Sequence, residues 1–220
     1  MLIAVIFDLD GTIADTERLH DESFRAVFKE RGIEPIPNDQ GMIHVSGLNA
    51  LANFDLFQQQ YNFSADSNQL VKEKTKVYNK LLEQGNIAAM PGIYELLNNL
   101  KSSGVKMAVA SSSTLQQINI VAKALKILNY FDVFASGKEV QHGKPAPDVF
   151  LLAAKKLSLA PSECIVIEDA NSGVVAAKAA GMKVVAAPNE FTLHEDFSAA
   201  DLVVKTLGDL DSGKLRSLLK

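Results

Sequence analysis

Near the start of the chain lies the stretch LIAVIFDLDGT, residues 2–12. Its first six residues are apolar and partly β-branched, which predicts a buried strand over residues 2–7. The strand is followed at once by two carboxylates, Asp8 and Asp10. In open parallel sheets, ligands bind outside the carboxyl ends of the strands. We therefore expect Asp8 and Asp10 to lie in a functional site.

Further short apolar runs predict four more strands, over residues 105–110, 164–167, 183–187 and 202–204. Segments with apolar residues at helical spacing lie between them, at residues 93–100, 115–125 and 149–157. Alternation of this kind is typical of a parallel sheet with helices on both faces. We predict an α/β fold with a Rossmann-like parallel sheet core.

Residues 16–89 break the alternation, because they contain no convincing strand and show helical spacing, for example at Leu19, Phe24, Val27 and Phe28. The sequence thus predicts an all-helical insertion between two parts of a core. We place the core domain at residues 1–15 and 90–220 and the insertion at residues 16–89.

Composition excludes several classes of protein. Of the 220 residues, 47% are hydrophobic and 22% charged, and the net charge is -4, which argues against a disordered chain and against nucleic-acid binding by overall charge. No apolar run reaches the roughly 20 residues that cross a bilayer, and the apolar start lacks the basic residues of a signal peptide. A single cysteine, Cys164, excludes an intrachain disulfide framework, and we expect it to be an inert buried thiol. We expect a cytoplasmic monomer without nucleic-acid or membrane partners.

Polar residues follow two of the other predicted strands as well. Ser111 and Ser112 follow the second strand, Glu168 and Asp169 follow the third, and Lys144 precedes a predicted helix. Four carboxylates at one sheet edge repel one another unless a cation neutralises them. Oxygen ligands favour a hard ion, and Mg²⁺ suits a site that also takes a substrate phosphate.

This set of residues points to phosphoryl transfer. With Mg²⁺ bound, Asp8 could attack phosphorus and form an aspartyl phosphate, while Asp10 protonates the leaving oxygen and later deprotonates water. Gly11 permits a tight turn near the ligand, and Thr12 can orient that loop. Each element alone also has a structural explanation, as a surface carboxylate or a helix cap, and it is their combination that predicts a site.

Four segments resemble the motifs of the haloacid dehalogenase (HAD) superfamily: FDLDGT at 7–12, ASSS at 110–113, GKPAPD at 143–148 and IED at 167–169. The resemblance covers essentially the whole chain, and the insertion resembles the small helical cap of subfamily I. Within it, the chain is most similar to β-phosphoglucomutase and to sugar-phosphate phosphatases. The resemblance implies Asp8 as nucleophile and Mg²⁺ ligand, and Asp10 as general acid and base with its backbone carbonyl on the metal.

The resemblance also assigns the remaining core residues. It implies that Ser111 and the Ser112 amide bind phosphate, and that Lys144 holds the phosphate and the nucleophile together. Asp169 would bind Mg²⁺ directly, and Glu168 directly or through water. Because superfamily members that cleave carbon–halogen or carbon–phosphorus bonds lack an acid at the position of Asp10, its presence favours phosphatase or mutase chemistry.

The cap decides the substrate, which we expect to be a small phosphorylated metabolite. His20 matches a histidine in the cap of the mutase-like proteins, although a surface histidine is the alternative. Where the mutase has an arginine for a distal phosphate, this chain has Asn49. Lys74 and Lys76 could replace that cation, but we expect them to be solvated. The sequence favours a phosphatase, with a hexose-phosphate mutase or a non-catalytic binding module as alternatives.

Overall fold

The computed structural model describes residues 4–39, 41–45, 48–85 and 87–219. Its strands, in chain order, are β1 (Ala4–Phe7), β2 (Ala14–Asp15), β3 (Ala88–Ala89), β4 (Lys106–Ser111), β5 (Val133–Ser136), β6 (Cys164–Glu168), β7 (Lys183–Ala186) and β8 (Leu202–Val203). Its α-helices are α1 (Glu17–Lys29), α2 (Ala50–Gln60), α3 (Ser67–Glu83), α4 (Ile93–Ser102), α5 (Leu115–Ala124), α6 (Asp148–Leu157), α7 (Asn171–Ala179) and α8 (Ser212–Ser217). Within these described ranges, no helix is long and apolar enough to cross a membrane.

Six strands form one parallel sheet in the order β5-β4-β1-β6-β7-β8. The chain runs outward from β1 through β4 and β5, and then returns to the other side of β1 with β6. Phe7 pairs with Val109 of β4 and with Ile167 of β6, so the three strands end at nearly the same level. This is the switch point at which open parallel sheets bind ligands. The predicted α/β fold with a parallel sheet core is confirmed.

Both faces of the sheet are covered by helices, which explains why the strands are apolar without alternation. Val5 and Phe7 belong to the core that includes apolar residues of α4 and α5, whereas Ala4 and Ile6 belong to the core built with α6 and α7. Cys164 is fully buried in the second core, and burial raises the pKa of its thiol to about 11. The prediction that Cys164 is buried is therefore confirmed, and its inertness remains a prediction.

Helices α1, α2 and α3 lie in residues 16–89 and enclose a separate apolar core, built around Phe24, Phe28, Phe54, Phe57 and Leu70. Neighbouring rings pack edge to face, with Phe24 and Phe54 centroids 5.1 Å apart, a favoured arrangement of aromatic pairs. The segment is joined to the sheet through a short antiparallel ribbon, in which β2 pairs with β3. Within the described residues, this segment contains the three helices, the loops between them and one short strand, β3, whereas the sequence predicted helices alone. The domain limits at residues 15/16 and 89/90 stay a prediction.

Sequence patterns missed six elements: the two-residue strands β2 and β3, and β5, α2, α7 and α8. Strand β5 is a four-residue edge strand whose Val133 and Phe134 are only half-buried, so its apolar pattern is weak. Helix α2 buries only Asn53, Phe54 and Phe57 among eleven residues. Of the five predicted strands, all are present with ends that differ by one residue or so, apart from residues 2 and 3 of the first, which lie outside the described part.

Candidate active site

The carboxyl ends of β1, β4 and β6 bring together the core residues that the sequence singles out. Asp8 directly follows β1, and its backbone N–H donates to the carbonyl of Ile167 at 3.0 Å. Ser111 is the last residue of β4, Glu168 is the last residue of β6, and Asp169 comes next. All four of these polar side chains are buried. Their convergence follows from parallel strands that end at the same level.

Lys144 reaches this cluster from the loop before α6. Its ammonium group donates to Asp8 Oδ1 and, at 2.6 Å, to Glu168 Oε1. Burial alone would lower the pKa of Lys144, but the two carboxylates outweigh burial and raise it. Lys144 is therefore a fixed positive charge that links the ends of β1 and β6.

Three buried carboxylates lie at this edge of the sheet, and Lys144 binds two of them, Asp8 and Glu168. Burial, with repulsion from Glu168 and Asp10, raises the pKa of Asp8 well above its usual range even though Lys144 opposes the shift. Burial, with repulsion from Glu168 and Asp8, also raises the pKa of Asp169. An excess of negative charge among oxygen donors is the environment that a hard divalent cation stabilises. The donor set therefore fits Mg²⁺.

The carboxylate of Glu168 is already engaged. Its Oε1 accepts from Lys144, and its Oε2 accepts the backbone N–H groups of Asp169 at 2.8 Å and Ala170 at 2.9 Å. In the part of the chain that the structure describes, no group of three or more His, Cys, Asp or Glu side chains is arranged to hold a metal. This remains compatible with Mg²⁺, which commonly uses one or two carboxylates and completes its shell with water and phosphate. Asp8 and Asp169 are the other two carboxylates of the cluster, and Asp169 accepts hydrogen bonds from neutral side chains only.

The loop after β1 is shaped around Asp169. Thr12 donates to Asp169 Oδ1 at 2.9 Å, and Asn189, which the sequence analysis did not identify, donates to Oδ2 at 2.8 Å. Gly11 has a φ of +82°, and a Cβ there would lie 2.3 Å from Asp169 Oδ2. Only glycine allows both this backbone conformation and this close approach. In this structure Gly11 and Thr12 position a carboxylate.

Asp10 is surrounded by hydrogen-bond donors. Its Oδ1 accepts from the hydroxyls of Thr16 at 2.6 Å and Tyr78 at 3.1 Å, and lies 3.3 Å from His20 Nε2. Its Oδ2 accepts from the hydroxyls of Ser113 at 2.9 Å and Ser111 at 3.2 Å. Burial alone would raise the pKa of Asp10, but His20 and the hydroxyl donors hold it below its ordinary value. Asp10 is thus an ionised acceptor, the form required of a general base.

His20 lies in α1, as predicted, and connects Asp10 to Lys74. The Lys74 ammonium is 2.5 Å from His20 Nδ1. Since an ammonium group can only donate, Nδ1 accepts and Nε2 carries the proton that faces Asp10. The imidazole ring stacks on Tyr78 with centroids 4.0 Å apart. Burial and the charge of Lys74 lower the pKa of His20, which favours this neutral form.

The expectation that Lys74 is solvated is wrong, because only 4% of it is exposed. Lys74 belongs to the buried stripe of α3, whose members occur at every fourth position: Leu70, Lys74, Tyr78 and Leu82. Its ammonium lies 4.4 Å from the centre of the Tyr78 ring. Burial lowers the pKa of Lys74 to about 7, and the positive charge of Lys138 contributes to that shift. Lys76 is exposed, as expected.

The serine run after β4 does not open a helix at Ser111. Helix α5 begins at Leu115, because Thr114 and Gln117 form a capping box that fixes the first turn there. Ser111 faces Asp10, whereas Ser112 lines the cavity described next. The phosphate-binding roles implied for Ser111 and Ser112 remain predictions.

A cavity of about 90 Å³ lies between the sheet edge and helices α1 and α3. Asp8, Asp10 and Lys144 line it from the sheet side, and His20 and Lys74 line it from the helical segment. Contacts such as that between Tyr78 and Asp10 close the helical segment over the cavity. The space is small for a phosphorylated sugar, so a substrate of that size requires the helical segment to move.

Asn49 also lines the cavity, but its side chain caps α2 by accepting from the Ala52 backbone at 3.0 Å. Its amide nitrogen lies near Gly143, where a Cβ would be 3.0 Å away. Asn49 therefore contacts the loop that carries Lys144. The neighbouring Ser46 and Gly47 lie outside the described residues.

A buried histidine cluster in the helical segment was missed by sequence reasoning. His44 Nε2 lies 3.0 Å from Glu17 Oε2, and its Nδ1 lies 3.3 Å from Asp21 Oδ1. Burial alone would lower the pKa of His44, but the two carboxylates raise it. Glu17 and His44 line the cavity. Glu17 and Asp21 are four residues apart, which places both on one face of α1. Nothing in the sequence indicates that His44 packs against that face.

Comparison with known proteins supports the resemblance to the haloacid dehalogenase superfamily that the sequence motifs indicated. Residues 5–187 match the family model described as haloacid dehalogenase-like hydrolase. The chain is 34% identical to a phosphorylated carbohydrates phosphatase of Thermotoga maritima, with 82% of each chain covered. It is 32% identical to a β-phosphoglucomutase of Bacillus subtilis, with 94% of this chain and 91% of the relative covered.

Among solved structures, the chain is similar to a mutant of CbbY from Rhodobacter sphaeroides in complex with xylulose-(1,5)bisphosphate. The two share 28% sequence identity and a TM-score of 0.83, over 96% of each chain. The resemblance noted in the sequence therefore extends over the whole fold, including the helical segment. The chain belongs to the haloacid dehalogenase-like hydrolase family and is an enzyme of its phosphatase type, with the mutase type as the alternative.

Proposed function

We propose that this protein is a Mg²⁺-dependent phosphatase that hydrolyses small phosphorylated metabolites, in particular sugar phosphates, through an aspartyl phosphate on Asp8. The arrangement of Asp8 supports the proposal most directly. Its carboxylate is buried at the end of a central strand, is held by Lys144, and lies next to an acid–base candidate, Asp10. Asp10, two residues further on, is held in the same buried cluster by the hydroxyls of Thr16 and Ser113.

In the first half of the reaction, an Asp8 oxygen attacks phosphorus, and the bond between phosphorus and the ester oxygen breaks. Asp10 donates a proton to the leaving oxygen. In the second half, Asp10 takes a proton from water, which attacks the aspartyl phosphate and releases inorganic phosphate. The ionised, fully hydrogen-bonded Asp10 of this structure corresponds to the second half.

Other residues position the groups that react. Lys144 keeps one Asp8 oxygen in place and provides positive charge to the phosphoryl group. Ser111 would turn its hydroxyl from Asp10 to a phosphoryl oxygen, next to the Ser112 amide. Asp8, Asp169 and the Asp10 carbonyl would hold Mg²⁺, with Glu168 directly or through water. When bound, Mg²⁺ would supply positive charge that reduces repulsion between the nucleophile and the phosphate.

A hexose-phosphate mutase is the second candidate. The similarity to β-phosphoglucomutase favours it. Asn49 stands where the mutase has an arginine for the distal phosphate, but Lys74 is a buried lysine that lines the cavity and could replace that arginine. A monomeric, cytoplasmic enzyme remains part of the proposal for either candidate.

One experiment separates the candidates. The purified protein is incubated with Mg²⁺ and a panel of sugar phosphates, and glucose 1-phosphate is tested with and without glucose 1,6-bisphosphate. Release of inorganic phosphate supports the phosphatase, and bisphosphate-dependent formation of glucose 6-phosphate supports the mutase. Binding without turnover across the panel would instead indicate a binding module.

The nucleophile is tested with Asp8→Asn, and Asp15→Asn is the matched control because Asp15 is exposed. We expect Asp8→Asn to abolish turnover and Asp15→Asn to retain it. Trapping of a phosphorylated protein with the wild type, but not with Asp8→Asn, supports the aspartyl phosphate. Near-normal turnover by Asp8→Asn would refute it.

A further inference from the structure

We propose that Gln117 is a positioning residue, which holds the helical segment closed over the serine run, residues 111–113, through a hydrogen bond with Asn79. The side-chain nitrogen of Gln117 donates to Asn79 Oδ1 at 2.8 Å. Gln117 lies in the first turn of α5, which covers the sheet, and Asn79 lies in α3 of the helical segment. The inference rests on the proposed function, because the serine run is proposed there to bind the transferred phosphoryl group.

The capping box of α5 fixes the position of the Gln117 side chain. Its Oε1 accepts from the Thr114 backbone N–H at 2.8 Å, and the Gln117 backbone N–H donates to Thr114 Oγ1 at 3.2 Å. A capping box requires only an acceptor oxygen at this position, and glutamate serves there as well as glutamine. The side-chain nitrogen of Gln117 is therefore not needed by the cap, and it is this atom that reaches Asn79.

The serine run is joined directly to the same turn of α5. Ser113 precedes Thr114, and its hydroxyl donates to Asp10 Oδ2 at 2.9 Å. The Ser113 carbonyl accepts from the Ser136 hydroxyl at 2.6 Å, and its N–H donates to Ser111 Oγ at 3.0 Å. A shift of the first turn of α5 would therefore displace groups that hold Asp10 and the serine run.

Adjacent residues of α3 contact two different parts of the core. Tyr78 donates to Asp10, in the loop after β1, and Asn79 accepts from Gln117 of α5. A single contact would leave α3 free to rotate about it, whereas two contacts with separate elements fix its orientation. Gln117 is 6% exposed, and the Tyr78 side chain packs in the same apolar core as Ile118, so water has little access to this bond. A hydrogen bond shielded in this way is stronger than one in water.

The test replaces the two amides with carboxylates, first singly and then together. Gln117→Glu keeps an acceptor for Thr114, and the amide of Asn79 can turn and donate to the new carboxylate. Asn79→Asp keeps an acceptor for Gln117. Only the double variant places two carboxylates opposite each other, where they repel. The matched control is Asn79→Asp with Gln116→Glu, which makes the same change of charge at an exposed neighbour.

The position of the helical segment is measured without any substrate. Spin labels are attached to Lys72→Cys in α3 and Lys123→Cys in α5, both at exposed positions. The native Cys164 is fully buried and should not be labelled. Double electron–electron resonance gives the distribution of distances between the labels, and circular dichroism checks that each variant is folded. Steady-state kinetics with p-nitrophenyl phosphate and Mg²⁺ are recorded for the same variants without the labels.

We expect the labelled wild type, both single variants and the control to share one population of short distances. The double variant Asn79→Asp with Gln117→Glu should lose most of that population to longer distances. It should also lower kcat/KM by about tenfold, whereas each single variant should stay within about twofold of the wild type. If the double variant does not fold, Asn79→Ala replaces it, because it removes the acceptor without adding charge and should shift the distances in the same direction.

The closing contact is overturned by a wild type without the short population, by a double variant that keeps it, or by a control that loses it as fully. Longer distances with an unchanged kcat/KM would overturn the positioning role of Gln117 in turnover. A wild type that hydrolyses no phosphate ester would count against the proposed function, and the distances would still decide whether Gln117 and Asn79 hold the segment closed.

Discussion

The Tyr78 hydroxyl donates a hydrogen bond to Asp10 Oδ1 across 3.1 Å, and so joins α3 of the helical segment to the loop after β1. Tyr78 is 1% exposed, and burial together with the charge of Asp10 raises the pKa of its phenol. The hydroxyl therefore stays protonated and remains a donor. Closure of the helical segment and the ionisation of Asp10 are linked through this contact.

Tyr78→Phe should lower kcat/KM for a hydrolysed phosphate ester by about ten- to a hundredfold, because a hydrogen bond to a charged group contributes ~1.5–3 kcal/mol. Steady-state kinetics with p-nitrophenyl phosphate provide the measurement. Tyr94→Phe is the matched control, since the Tyr94 hydroxyl donates to the Leu125 carbonyl at 3.2 Å, outside the cavity. Equal losses in the two variants would show that the contact with Asp10 has no role in turnover.

Lys144→Met should strongly destabilise the protein. Asp8 and Glu168 would lose the cation that pairs them, and loss of one partner from a buried ion pair costs about 3–5 kcal/mol. Urea denaturation gives the free energy of unfolding, and Lys76→Met serves as the control because its side chain is exposed. A loss no larger than that of the control would mean that Lys144 does not stabilise the carboxylate cluster.

Mg²⁺ should raise the melting temperature, because an ion that binds only the folded protein stabilises it by about 2.7 kcal/mol at 100 times its Kd. Asp169→Asn should reduce the shift, since it removes one of the carboxylates proposed to hold the ion. Asp15→Asn, at an exposed position, should keep the shift. If Asp169→Asn melts with the same Mg²⁺ dependence as the wild type, the proposed ligand set is incorrect.

Lys74 should make the protein more stable as pH rises above neutrality. Its pKa is lowered to about 7 from 10.5, so between these values the unfolded chain binds more protons than the folded protein. The free energy of unfolding then increases with pH across that window. Between pH 7 and pH 9 we expect a contribution of about 2 kcal/mol.

Comparison of variants isolates this contribution from other titrating groups. Denaturation curves for the wild type, Lys74→Met and Lys76→Met are recorded between pH 7 and pH 9. Lys74→Met should lose most of the rise, and Lys76→Met should behave as the wild type. The same pH dependence in all three proteins would show that Lys74 keeps its ordinary pKa.

The sheet and its catalytic edge could be predicted from the sequence because both depend on local signals. A buried parallel strand is a continuous apolar run, and the residue after it is placed at the ligand-binding edge by the topology alone. Asp8, Ser111 and Glu168 were found in this way. Strand β5 was missed, since a short edge strand with half-buried Val133 lacks that continuous run.

The contacts between the helical segment and the sheet edge could not be predicted in the same way. They depend on how two separately folded cores meet, and a single sequence carries no signal for that arrangement. Lys74 illustrates the difficulty, because a lysine at helical spacing is normally solvated, yet here it continues the buried stripe of Leu70 and Leu82. His44 was missed for the same reason.

The two-residue ribbon formed by β2 and β3 has a consequence for how such enzymes diversify. Ala14 pairs with Ala89, so the chain enters and leaves residues 16–87 at neighbouring points. Everything between them can be lengthened, shortened or exchanged without a change in any strand of the parallel sheet. The strands of the sheet can therefore stay constant while the helical segment varies, but a replacement segment must still supply the donors that Thr16, His20 and Tyr78 present to Asp10.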